Sequence, residues 1–224
     1  MKRIFWAGDS TVKDNYIDTY PRTGIAQGLR LYLNADVTII NHAENARSTK
    51  NFIAEGRLDC INNELKKDDF LFIEFGHNDW NKDPNRHTDS FGDYQSNLLQ
   101  MIDVARDKEA YPVLITPLYC RFLEKNNTLR ENVHYDYPNA MIALALEQNI
   151  PYIDLCKKSK TLLQQTDLEV SKNWFMNLEK GEYDAYPDGM LDDAHLQHKG
   201  AVVFARLLAE GLKELGTIYA ELVR

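Results

Sequence analysis

The chain has 224 residues, with 26 Lys and Arg against 34 Asp and Glu, a formal net charge of −8. With 44% hydrophobic and 27% charged residues it has the make-up of an ordinary globular protein, and one compact domain over residues 1–224 is expected. The negative balance argues against a nucleic-acid partner, which needs clustered Lys and Arg to neutralise phosphates, and no apolar run approaches the ~20 residues that cross a membrane.

Ile4 to Ala7 is too short for the apolar core of a signal peptide, so Lys2–Ala7 reads as a buried first strand. Gly24–Leu33 follows as a helix, with Ile25, Leu29 and Leu33 four apart, and Val37–Asn41 as the second strand. Phe70–Phe75 is the third strand. Asn97–Arg106 places Leu98, Met101, Ile102 and Ala105 on one helical face, and Val113–Thr116 is the fourth strand. A polar and aromatic stretch, Leu118–Tyr135, leads to a helix over Tyr137–Gln148 and a last strand over Tyr152–Leu155. A second long stretch, Thr166–Met190, carries Trp174, Phe175, Tyr183 and Tyr186 and is expected to line a substrate site. Ala201–Leu215 closes the series as a helix. Strands apolar at consecutive positions, alternating with helices, imply a doubly wound α/β domain with a mainly parallel sheet covered on both faces. Cys60, Cys120 and Cys156 are odd in number and widely spaced, which suits buried thiols in a reducing cytoplasm better than disulfides.

In such a sheet, ligands sit outside the carboxyl ends of the strands. Four short sequences fall there or close by. Gly8-Asp9-Ser10-Thr11 follows the first strand, so a turn there exposes the Ser10 hydroxyl at the rim, although Asp and Ser also serve as helix caps. Ala43 to Ser48 follows the second strand and offers a backbone N–H near Ala46. Gly76-His77-Asn78-Asp79 follows the third, where the Asn78 amide could donate to a developing oxyanion or the four residues could simply make a turn. Asp192-Asp193-Ala194-His195 precedes the last helix, and a carboxylate three residues before a histidine can fold back onto its ring. His195 and His198 with the two aspartates also offer metal-ligand atoms, but no second cluster completes a site, and no metal or other cofactor is expected.

Taken together and in order, Gly8-Asp9-Ser10, the Ala46 block, Gly76-x-Asn78 and Asp192-x-x-His195 resemble the four blocks of the SGNH, or GDSL-type, hydrolases. Ala46-Arg47-Ser48-Thr49-Lys50-Asn51-Phe52, Phe75-Gly76-His77-Asn78-Asp79 and Tyr186-Pro187-Asp188-Gly189 resemble the rhamnogalacturonan acetylesterases among them. The resemblance implies a three-layer α/β/α, flavodoxin-like fold with five strands, and a carboxylic ester hydrolase with Ser10 as nucleophile, His195 as base and then acid, and Asp192 as its orienting partner. It also implies an oxyanion hole from the N–H groups of Ser10 and Ala46 and the side chain of Asn78. Two positions depart from the family. Ala46 stands where glycine is usual, and its methyl disfavours a positive φ; Asp-Asp-Ala-His replaces the frequent Asp-Asn-Thr-His.

The function the resemblance implies is removal of acetyl groups from plant-type oligosaccharides, rhamnogalacturonan or related pectic and hemicellulosic fragments, through an acyl-enzyme on Ser10, with Trp80, Trp174, Tyr183 and Tyr186 as stacking or lining groups. Arg47, with Lys50 and Arg57, is a candidate for meeting a uronate carboxylate. The alternatives are a thioesterase or lysophospholipase, which needs a long aliphatic channel, and a non-catalytic sugar-binding module. Asp193 is expected to face solvent or to cap the last helix.

Overall fold

The computed structural model describes residues 1–224. Five strands, β1 (Lys2–Gly8), β2 (Val37–Asn41), β3 (Phe70–Glu74), β4 (Tyr111–Ile115) and β5 (Tyr152–Ile153), form one parallel sheet in the order β2-β1-β3-β4-β5. This is the flavodoxin-like order expected, and all five strands point the same way, so the loops leaving their carboxyl ends gather along one edge.

Alternate residues of each strand enter opposite layers. Ile4 and Trp6 of β1 join a core of 31 buried residues, and Phe5 and Ala7 join a second core of 21. The first core is covered by α1 (Ile25–Leu29), α6 (Leu155–Gln165), α8 (His198–Leu215) and α9 (Thr217–Ala220). The second is covered by α2 (Thr49–Ala54), α3 (Arg57–Glu64), α4 (Gln95–Asp107) and α5 (Tyr137–Gln148). The result is the three-layer arrangement. No helix is long and apolar enough to cross a membrane.

The sequence reading misses α6, whose eleven residues begin at Leu155 where the last strand is expected to end, and otherwise differs from the structure mainly at short helices. The first helix has five residues rather than ten, because the chain then turns toward its C-terminus, where Leu33 bridges Val223. Gly28 lets α1 approach α8, since a Cβ there would stand 2.3 Å from the Ala201 carbonyl oxygen. Helices α2 and α3 were not legible because each is barely two turns with two buried residues. Within the stretch expected to be a loop, α7 (Leu168–Lys172) starts where the Asp167 carboxylate accepts the Glu169 N–H at 2.9 Å.

Candidate active site

Ser10 sits in the turn directly after β1. The Asp9 carbonyl accepts the N–H groups of Val12 and Lys13, at 3.1 and 3.0 Å, closing one helical turn around the serine. The Asp9 side chain is fully buried, and its Oδ1 accepts both the N–H and the hydroxyl of Thr11, at 2.9 and 2.8 Å. Gly8 serves close approach rather than unusual backbone angles: a Cβ there would meet Val12 Cγ2 at 2.9 Å and the Glu74 carbonyl at 3.2 Å.

Across the cleft, His195 Nε2 lies 2.8 Å from Ser10 Oγ. Its Nδ1 lies 2.6 Å from Asp192 Oδ2, so the Nδ1–H faces the carboxylate and the Nε2 lone pair faces the serine hydroxyl. The other Asp192 oxygen accepts the N–H groups of Ala194 and His195, at 2.8 and 3.0 Å. That tight turn is what folds the acid back onto a ring only three residues ahead. Burial pushes the Asp192 carboxyl up, but the bonds and charge of His195 outweigh it and hold it down at about 2. It is a carboxylate at any working pH.

Asp193 neither faces solvent freely nor caps α8, whose N-cap is Gln197. Its Oδ1 pairs with the buried Arg121 guanidinium at 2.9 Å and accepts from Asn177 Nδ2 at 2.8 Å. Arg121 also donates to Ser171 Oγ and the Leu168 carbonyl. Asp193 therefore ties the His195 turn to the loop after β4.

Asn78 Nδ2 donates to the Arg47 carbonyl at 3.1 Å, which joins the third block to the second, and makes a longer contact of 3.5 Å with Asp9 Oδ2. The N–H groups of Ser10 and Ala46 donate to no other backbone group. Ala46 adopts φ +62°, the conformation its methyl disfavours. The chain has kept the turn that glycine normally makes and carries the strain, about 1–2 kcal/mol for an L-residue. Ala46→Gly is expected to relieve that strain, offset in part by the greater freedom of glycine when unfolded. A net gain of about 0.5–1 kcal/mol should appear as a higher Tm, with kcat near that of the parent. A lower Tm would show that the methyl packs usefully.

His77 joins these parts. Its Nδ1 lies 3.0 Å from Asp9 Oδ2 and its Nε2 2.9 Å from the Leu118 carbonyl oxygen. Both neighbours are acceptors, so both ring nitrogens carry hydrogen and the ring is an imidazolium. Burial opposes that charge, and the adjacent Asp9 carboxylate overcomes it, holding His77 well above its ordinary value. The Leu118 carbonyl also accepts from His134 Nε2 at 2.8 Å; burial and the His77 charge press His134 down to about 3, so it is neutral. Glu74, fully buried beside Asp9, is pushed up to about 8 and keeps its proton. Ring nitrogens of His77 and His134 and the Cys120 sulfur lie within 4.8 Å of one another, atoms of the kind that bind metals. The hydrogen bonds already made by His77 describe a packed polar cluster. Gly76, at φ +134° and with Pro117 Cγ 2.9 Å from any Cβ, lets the chain turn into this block.

Ser10, Asn78 and His195 open into a cavity of about 130 Å³ walled by Trp80, Cys120, Phe122, Val133 and His134. Apart from Trp80, this wall comes from the Leu118–Tyr135 loop, not from Thr166–Met190 as expected. The second stretch braces the base instead: the Met176 N–H donates to the His195 carbonyl at 2.9 Å, and the Gln197 N–H to the Trp174 carbonyl at 3.0 Å. Trp174 and Phe175 pack on Phe204 in the core. Tyr183 lies edge-on to Tyr20, and the Tyr186 hydroxyl donates to the Thr19 carbonyl, both outside the cavity wall. Arg47 is held by Glu55 and the Asn45 carbonyl, Arg57 pairs with Glu55 and Glu44, and Lys50 donates to the Pro84 carbonyl. Of the candidate substrate groups, the structure brings only Trp80 to the cavity. A larger cavity of about 530 Å³ lies between α6 and α8, lined by residues such as Lys157, Thr161 and Glu210, with no nucleophile and base facing each other.

A profile of the GDSL-like lipase/acylhydrolase family matches residues 7–203. The chain is 39% identical over 214 residues to the rhamnogalacturonan acetylesterase RhgT of Bacillus subtilis strain 168, covering 96% of this chain and 90% of that protein. It is also 39% identical to the probable rhamnogalacturonan acetylesterase YesY of the same organism, over 95% and 93% of the two chains. Among solved structures, protein YxiM of Bacillus subtilis superposes with a TM-score of 0.81 at 24% identity, over 97% of this chain and 57% of that one. The acetylxylan esterase Axe2 of Geobacillus stearothermophilus superposes at 0.65 and 16% identity, over 100% and 96%. At these identities the two structures speak for the fold.

Proposed function

The chain belongs to the GDSL-like lipase/acylhydrolase family, and from that premise we propose that it is a serine esterase that removes acetyl groups from carbohydrates. Ser10 Oγ attacks the ester carbonyl as His195 Nε2 takes its proton, while Asp192 keeps the ring in the required tautomer and balances its charge. The Ser10 and Ala46 N–H groups and the Asn78 amide receive the oxyanion. His195 then hands its proton to the departing sugar hydroxyl, and water repeats the cycle to release acetate.

The unbroken line of hydrogen bonds from Asp192 through His195 to Ser10, opening into a small cavity, is the observation that carries this reading. At about 130 Å³ the cavity lies below the ~300 Å³ at which drug-sized ligand pockets begin, so it suits an acetyl group better than a long chain. The names borne by the two 39%-identical relatives support acetylated rhamnogalacturonan as the substrate. A cytoplasmic setting belongs to the proposal and is supported by three unbridged cysteines.

Hydrolysis of p-nitrophenyl esters of rising chain length, alongside acetate release from acetylated rhamnogalacturonan and xylan fragments, tests the reading. Activity should peak at acetate and fall steeply by butyrate. A peak at octanoate would favour a thioesterase or lysophospholipase, and no turnover of any ester would favour a binding module.

A further inference from the structure

Beside the catalytic cavity lies a second hollow that the chemistry above does not use. It encloses about 380 Å³ and is lined by Trp80, Lys82, His87, Asp89, Tyr135 and Asp136, among others. Trp80 stands in the walls of both hollows, and Tyr135 directly follows His134 of the catalytic wall, so the two adjoin. Two large aromatic rings are unusually open here. Trp80 is 38% exposed and Tyr135 59% exposed, with ring centroids 5.7 Å apart and planes inclined at 56°. The two inclined rings make a V.

Tyr135 also has φ +51°, a backbone conformation uncommon for a bulky side chain and more often seen with Gly, Asn or Asp. Strain of this kind gathers at binding and catalytic sites. An exposed aromatic ring in a strained backbone, one residue from the catalytic wall, is hard to account for by core packing.

We propose that Trp80 and Tyr135 form a subsite for the sugar ring next to the acetylated one, deepening the carbohydrate esterase reading on which this rests. One face of a pyranose is a patch of C–H bonds that lies flat on an aromatic ring, and its edges carry hydroxyls. The V supplies the aromatic surface. Its rim mixes Lys82, which forms no ion pair, with the carboxylates of Asp89 and Asp136 and with His87, 4.0 Å from Asp89. Donors and acceptors are therefore mixed without a net positive charge, which suits the hydroxyls of a neutral ring better than a uronate carboxylate. The expected substrate is thus an oligosaccharide of at least two rings, with its acetyl group in the small cavity and a neutral neighbour in the V.

The variant Tyr135→Asn removes the ring while fitting the left-handed backbone, so it should fold at least as well as the parent. The quantity to compare is the gain in kcat/KM on going from an acetylated monosaccharide to the acetylated disaccharide. The parent should show a gain of about tenfold, carried by KM, and Tyr135→Asn should lose most of it. An undiminished gain in Tyr135→Asn would overturn the subsite, and a gain found only with a uronate neighbour would overturn its neutral character. Binding can be read without turnover. In Ser10→Ala, unacetylated neutral disaccharide should alter the emission of Trp80, because Trp6 is buried and Trp174 packs on Phe204. Adding Tyr135→Asn should raise the half-saturating concentration about tenfold. If the parent splits simple acetate esters but no sugar ester, the esterase reading loses its substrate while this titration still decides the subsite. A flat titration would overturn the subsite by itself.

Discussion

Ser10→Ala is expected to lower kcat by about 10⁴–10⁶-fold and to leave the fold intact, because nucleophile and base act as one unit. Without the hydroxyl no acyl-enzyme forms, and what remains is the far smaller acceleration from oxyanion donors acting on attack by water. The side chain bonds only to His195, while the turn itself is held by Asp9 and Thr11, so thermal unfolding should hardly change. Rates on p-nitrophenyl acetate, a melting curve, and intact mass after treatment with a fluorophosphonate form the test. One adduct should form on the parent and none on the variant. Retention of more than about a tenth of the parental kcat would remove Ser10 from the mechanism, given the losses expected.

The adjacent aspartates should separate rate from stability. Asp192→Asn keeps the turn that accepts the Ala194 and His195 N–H groups, but its amide can present N–H to the ring and favour the wrong tautomer. The expected loss in kcat is up to ~10⁴-fold with little change in Tm. Asp193→Ala strips the buried Arg121 of its carboxylate partner. Breaking a buried pair costs about 3–5 kcal/mol; with Asp193 partly exposed, about 2–3 kcal/mol is expected, a fall in Tm of roughly 5–10 °C. Its kcat, measured well below the melting range, should stay within reach of the parent. If instead Asp193→Ala abolished turnover at full stability, the acid of the triad would be misassigned by one position.

The layers of this fold were legible because β1, β3 and β4 are buried on both faces and say so in unbroken apolar runs such as Phe70 to Ile73. The meeting of Ser10, His195 and Asp192 was legible for a different reason. Ser10, Asn78 and the Asp192–His195 pair are each fixed by local chemistry within a few residues, so short motifs report them faithfully. The wall of the cavity was not. Both long stretches have the same aromatic and polar composition, and which of them reaches the serine depends on chain direction. Leu118–Tyr135 leaves the carboxyl end of β4, on the edge where Ser10 lies, whereas Thr166–Met190 follows α6 and returns as a brace. The rule that ligands gather at the carboxyl ends of strands, applied to the loops as well as the motifs, would have chosen correctly. The charged residues failed for a third reason. Arg47 and Arg57 find Glu44 and Glu55 only after α2 and α3 have formed, and no spacing in the sequence announces those pairs.

The serine and its base are 185 residues apart in the chain, and the acid that orients the base lies only three residues before it. Synthesis runs from the N-terminus at about 5–20 residues per second, so Ser10 is joined to the chain roughly 10–40 s before His195 exists. Throughout that interval the hydroxyl is an ordinary alcohol, unable to attack the esters of the surrounding cell. The nascent chain is chemically silent until its base has been made and laid against the first strand's turn. Reactivity is thus timed by the order of translation, and a ribosome stalled anywhere before residue 195 displays an inert serine.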